Sequence, residues 1–111
     1  MSDKNKTGLI SMCRKAGKLV MGMDMVKDAC ALGNARAVFV ASDLSEKSMK
    51  EVRYTCAKYD AKLYALGLTM DEIALGIGKR TGVLAMTDAG FAKSCVKGLD
   101  EIAIDREEFD L

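Results

Sequence analysis

The strongest constraint on this chain is an alternation. Short apolar runs take turns with longer stretches of helical spacing, and glycine often marks the change. Residues 6–16 carry Leu9, Cys13 and Ala16 at i, i+4 and i+7, which predicts a helix. Gly17 is its natural stop, because glycine accepts the left-handed conformation cheaply. Lys18, Leu19 and Val20 predict a short strand. Residues 24–32 predict a second helix with Met25, Ala29 and Leu32 on one face, ended by Gly33 and Asn34. Residues 37–41 are continuously apolar, the pattern of a strand covered on both faces. A third helix, 46–59, is expected after a cap at Asp43 or Ser45, with Met49, Val52, Cys56 and Tyr59 as its inner stripe. The run "AKLYALG" predicts another strand. "TMDE", from Thr69 to Glu72, has the capping-box pattern, and Ile73 and Ile77 carry that helix onward. "GVLAMTD" predicts a strand, Asp88 caps a last helix at 89–97, and Gly98 closes it.

Alternation with short connections predicts an α/β sandwich with a largely parallel sheet and right-handed crossovers. The composition shifts only after Gly98. The chain is therefore expected to hold one domain, residues 1–98, and an acidic tail, residues 99–111. The tail is expected to form a short strand at 101–104 or to stay loose.

At 111 residues the chain is long enough to bury a proper core. No apolar run approaches the roughly 18 residues that a membrane helix requires. The opening "MSDKNKTG" lacks the apolar centre of a signal peptide. A cytoplasmic location without membrane contact is expected. Cys13, Cys30, Cys56 and Cys95 are widely spaced, form no CxxC pair and have no histidine to join them. Neither a zinc site nor a disulfide framework is signalled, and small buried hydrophobes are expected instead. The net charge of +1 conceals a split. Residues 98–111 hold six carboxylates against Arg106 alone, so the body before them is basic. A basic body suits a polyanionic partner.

The usual catalytic equipment is missing. Without histidine there is no Ser-His or Cys-His nucleophile and no easily poised proton shuttle at neutral pH. Asp71 and Glu72 fall at a helix start, where they complement the helix dipole. Residues 76–82, "GIGKRTG", fail the phosphate-loop pattern because Lys79 is followed by arginine rather than Ser or Thr. They also follow a helix and open a strand, the reverse of a dinucleotide fingerprint. Two readings stay open for Gly78 to Thr81: a solvated connector, or a doubly basic turn that touches phosphate. No enzymatic activity, cofactor or metal is expected.

Two segments carry a resemblance. "CRKAGKLVMGMDMVKDACALGNARAVFVASDLS" and "LGIGKRTGVLAMTDAGFAKSC" resemble the ribosomal-protein superfamily that binds RNA kink-turns, nearest its small bacterial members of the YlxQ and YbxF type. The likeness runs from about Leu9 to Val96. It implies a three-layer α/β/α sandwich with a mixed four-stranded sheet. It implies a non-catalytic RNA-binding protein that recognises a kink-turn-like bend. Structured RNA, ribosomal RNA included, and ribosomal or RNA-processing proteins are the implied partners. In that family the junction into the second helix, here 21–27, reads paired G·A bases, and the turn here at 78–81 touches the bulged nucleotides. The implied RNA-binding set is Gly22, Met23, Asp24, Lys27, Lys79, Arg80 and Thr81, with Lys15 and Lys18 supporting the phosphate backbone.

The chain departs from the archaeal and eukaryotic pattern at the centre of that set. Asp24 and Met25 stand where those members have an Asn-Glu pair, and Asp28 stands where a lysine follows, with Lys27 one residue away. Aspartate cannot donate to guanine O6 or N7, though it can accept from adenine N6. These departures, with the run of methionines, motivate a second reading: a protein-interaction module on the same fold with weak or lost RNA binding.

Overall fold

The structure is a computed structural model that describes residues 6–111. The first five residues of the expected domain lie outside the described residues.

Helix α1 spans Thr7–Lys15 and strand β1 Leu19–Met21, followed by α2 at Met23–Ala31 and β2 at Ala37–Val40. Then come α3 at Glu46–Tyr59, β3 at Leu63–Ala65, α4 at Met70–Ile77 and β4 at Val83–Met86. Helix α5 at Ala89–Val96, β5 at Asp100–Ile102 and a short 3-10 helix at Arg106–Phe109 complete the chain. Ser45, rather than Asp43, caps α3 by accepting from the Ser48 N–H. Thr69 and Glu72 form the expected capping box on α4, and Asp88 caps α5 through the Phe91 N–H.

The strand order is β1-β4-β2-β3-β5. Only β2 and β3 run parallel, whereas β4 is antiparallel to both β1 and β2, and β5 is antiparallel to β3. The sheet is thus mixed, not largely parallel. Alternation along the sequence suggests crossovers, but it cannot say that a late strand inserts between two earlier ones in reverse. The sheet also has five strands where four were expected. Asp100 to Ile102 supplies the fifth by pairing with Leu63 to Ala65 along an otherwise open edge.

Strand β2 shows how the core divides. Ala37, Phe39 and Ala41 join one cluster, with Ile10 and Cys13 of α1, Ile73 and Ile77 of α4, and Ala92 and Cys95 of α5. Val38 and Val40 join a second, with Val26 and Cys30 of α2 and Val52 and Cys56 of α3. Successive strand residues point to opposite faces, so both faces of β2 are buried. Phe39 lies across from Tyr64 in the parallel register, ring centroids 5.8 Å apart. Burying a side chain of that size contributes about 1.5–3 kcal/mol.

Helix α2 turns differently from the expected orientation, whereas α3 buries Val52 and Cys56 with Met49 packed beside them, as its stripe predicts. In α2 the buried residues are Val26, Ala29 and Cys30, while Met25 is 55% and Leu32 74% exposed. Ala29 lies on both candidate faces, so the apolar spacing permits either rotation. In α3 Val52, Thr55, Cys56 and Ala57 are buried, and Tyr59 reaches the surface at the last turn. In α1 Ile10 and Cys13 lie deepest, with Leu9 half-buried beside them and Ala16 exposed. No helix among the described residues is long and apolar enough to cross a membrane.

All four cysteines are free and buried. Cys30 and Cys56 lie in the same buried cluster between α2 and α3, and the mutual influence of the two thiols pushes Cys56 up and Cys30 down. Burial, with Asp88 nearby, pushes the Cys13 thiol up to about 11. Burial pushes Cys95 up to about 11 against the pull of Lys6. The folded chain therefore keeps these two protons where the unfolded chain loses them. That contribution to stability is full below pH 9.0 and is lost as the pH rises toward about 11. Urea denaturation across this range should show the fall, and Cys95→Ala should flatten it. Thr69→Ala should cost about 1 kcal/mol, read as a lower urea midpoint at unchanged m-value.

Candidate functional site

The ends of β1, β2 and β3 gather around the start of β4. The Gly22 N–H donates to the Val83 carbonyl at 2.9 Å, continuing the β1–β4 ladder one residue past Met21 and Leu84. The Ala41 N–H donates to Gly82 at 2.9 Å, and the Ser42 N–H to Leu68 at 2.8 Å. The β1–α2 junction and the turn 78–82 are therefore neighbours, although more than fifty residues separate them. Helices α2, α3 and α4 all begin at this end, so their positive dipole ends face the same region.

The three helix starts are not equivalent. Ser45 and Thr69 cap α3 and α4 with their own hydroxyls, and the Met70 N–H donates to Asp43 at 2.9 Å. Helix α2 begins at Gly22, which has no side chain to cap it. Its first N–H groups are the ones left open to an anion. Gly22 adopts φ 96° and ψ 152°, a region that is essentially reserved for glycine. Its missing Cβ would meet nothing within 4 Å, so the requirement is conformational, not steric.

The structure brings part of the expected set together. Met23 opens α2 half-buried, packed against the second core cluster, and Asp24 follows it exposed in the first turn. Lys27 lies one turn on and pairs with Glu51 of α3, a contact that holds the Lys27 pKa above its usual value. Across the β1–β4 ladder, Lys79 and Arg80 are exposed on the turn. The Arg80 Nε donates to Asp71 Oδ1 at 2.8 Å. Both side chains of that pair are largely exposed, at 58% and 81%, so the pair adds little stability and is easily exchanged. Thr81 is buried instead. Its Oγ1 donates to the Val83 carbonyl at 3.1 Å and accepts from the Val83 N–H, so the hydroxyl shapes the turn.

Lys18 lies elsewhere. It precedes β1 at the end that pairs with Met86, and its carbonyl accepts from the Thr87 N–H at 2.9 Å. The three residues of β1, four steps along the chain, separate it from Gly22 by roughly 13 Å. Lys15 is exposed on the last turn of α1.

Arg14 is a neighbour that sequence reasoning missed. Its guanidinium donates to the Ile77 carbonyl, the end of α4, beside Gly78. A basic residue in a last helical turn was visible, but its partner 63 residues away was not. Asp71 was read only as a dipole complement. Glu72 performs the capping, and Asp71 holds Arg80. Among the described residues no cluster of three Cys, Asp or Glu side chains is placed to hold a metal ion.

Residues 5–96 match the model of a family described as "Ribosomal protein L7Ae/L30e/S12e/Gadd45 family". The chain is 35% identical over 85 residues to an "RNA-binding protein YlxQ" of Enterococcus faecium, covering 77% of this chain and 82% of that one. It is 30% identical over 101 residues to an "RNA-binding protein YlxQ" of Bacillus subtilis, covering 90% of this chain and 100% of that one. A solved structure of a protein with unknown function from Bacillus halodurans shares the fold at a TM-score of 0.77 and 23% identity. That likeness covers 85% of this chain and 95% of the other.

The Gly22 geometry gives a direct test. Gly22→Ala should cost about 1–3 kcal/mol through backbone strain alone. Chemical denaturation would measure it, and a loss well below that range would show that the junction relaxes.

Proposed function

This chain belongs to the ribosomal protein L7Ae/L30e/S12e/Gadd45 family, and on that premise we propose that it is a non-catalytic, cytoplasmic RNA-binding protein that grips a kink-turn-like bend in structured RNA, ribosomal RNA included. The observation that carries this reading is the uncapped start of α2, held against the basic turn 78–82 by the Gly22–Val83 hydrogen bond. The two YlxQ relatives, named as RNA-binding proteins, support it. The division of the core into two clusters on the two faces of the sheet supports the layered α/β/α arrangement that the family resemblance implies.

The chemistry follows from the geometry. The open N–H groups of α2 and its dipole attract a phosphate or a base-edge acceptor. Asp24 stands where it can accept from an exocyclic amino group of a sheared pair, and Gly22 keeps side-chain bulk off the approach. Lys79 and Arg80 reach the backbone from the other side, with Arg80 exchanging Asp71 for phosphate. Thr81 contributes by holding the turn's shape. Lys15 and Lys18 act further along the flank, on the strand leaving the bend. A bent RNA is read mostly by shape, so few base contacts suffice.

A second reading is a protein-interaction module with weak RNA binding, and one observation favours it. Met25 and Leu32 expose an apolar stripe on α2 that nothing in the chain covers among the described residues. Gel-shift titration against a kink-turn and a straight duplex separates the two readings, since a module of that kind would show no preference for the bend. On the first reading, Lys79→Ala with Arg80→Ala should weaken kink-turn binding. It should also flatten the log–log salt dependence by about one to two units, near one per phosphate contact. An unchanged slope would remove the turn from the interface.

A further inference from the structure

The segment beyond the family match ends in a docked acidic arm. After β5 the chain crosses to α3, where the Arg106 guanidinium donates to the Ala57 carbonyl. Glu108 pairs with Arg53. The Phe109 ring meets Tyr54 edge-on, with centroids 5.6 Å apart and planes at 73°. The Arg53 guanidinium lies 5.8 Å from the centre of the same Phe109 ring.

The arm meets α3 at Arg53, Tyr54 and Ala57, and Tyr54 belongs to a surface stripe of definite chemistry. Lys47, Lys50, Tyr54 and Lys58 recur at i, i+3, i+7 and i+11, one face of a helix, and all four are exposed. Tyr54 keeps 40% of its surface open even with Phe109 beside it. An aromatic ring flanked by cations is what a single nucleic-acid strand uses: a plane for a base and charge for phosphates. The arm offers the same pair of features, one ring and several carboxylates. Helix α3 also begins at the end of the sheet where Ala41 meets Gly82, so its stripe leads away from the candidate site.

We propose that the outer face of α3 is a second RNA contact, for single-stranded nucleotides leaving the bent element, and that the C-terminal arm occupies this face in the free protein as an intramolecular competitor. The inference rests on the RNA-binding reading above. A partly exposed ion pair, one ring pair, one cation–ring contact and the Arg106–Ala57 hydrogen bond hold the arm, and the first three involve the exposed Glu108 and the Phe109 ring alone. Its release is therefore within reach of a strand that brings a base and several phosphates.

The test uses the full chain and a short oligouridine followed by fluorescence anisotropy. Glu108→Gln with Phe109→Ala should tighten oligouridine binding about tenfold, the effect of one additional stacked base. Glu108→Gln alone, which leaves the ring in place, should give a smaller gain. Adding Lys50→Ala and Tyr54→Ala should abolish it. The gain should persist alongside Lys79→Ala and Arg80→Ala, because that turn lies between α4 and β4 and is no part of α3. Unchanged affinity in variants with native circular dichroism would overturn the proposal, as would a gain that survives loss of Tyr54 and Lys50. Binding of an acidic aromatic peptide without oligouridine would overturn it too, by making the face a protein site. A normal gain in a chain that shows no preference for bent RNA would support this face while sinking the earlier reading.

Discussion

Strand β4 is the constraint on which the rest of the structure depends. It lies between β1 and β2, antiparallel to both, and all four of its residues are buried. A buried strand must pair its N–H and C=O groups on both sides, because an unpaired group away from water costs about as much as a lost hydrogen bond. The segment entering β4 is therefore fixed in place. The turn 78–82 must arrive beside Gly22 on one side and Ala41 on the other. A core requirement thus becomes the geometry of a surface site.

That site combines rigid backbone with exchangeable charge. The Gly22–Val83 bond, the Thr81 hydroxyl and the capping box on α4 hold the framework. Two of the cations around it are held by carboxylates, Arg80 by Asp71 and Lys27 by Glu51, and Arg53 on the far part of α3 is held by Glu108. Exposed pairs of this kind are worth little in water, since solvent screens them and each side chain loses freedom in forming them. A polyanion can displace such partners without disturbing the framework. The carboxylates also prevent a bare cluster of positive charge from destabilising the free protein.

Most element positions were legible because their signals are local. The Thr69–Glu72 box and the Asp88 cap each act within a single turn. The continuous apolar run of β2 required cover on both faces, and it has it. The rotation of α2 was not legible. Met25, Ala29 and Leu32 share one face and Val26, Ala29 and Cys30 another, and the larger side chains mark the wrong one. Alanine and cysteine carry weak apolar signals, yet they allow α2 and α3 to approach closely enough for the Cys30 and Cys56 thiols to influence each other. The fifth strand was legible only as an option, since Asp100 and Glu101 become strand because β3 offers them an edge.

The candidate site divides along the same line. The sequence by itself determined the repertoire: a glycine before a helix, a doubly basic turn, no histidine, and a basic body with an acidic end. Those features follow from residue chemistry and from contacts within a few positions of the chain. Only the tertiary structure decided which of them meet. It set Gly22 against Val83, turned Thr81 inward, left Lys18 at the far end of β1, and laid Phe109 on Tyr54. Strand insertion and direction are fixed by the joint burial of segments far apart in sequence, and no local pattern encodes them.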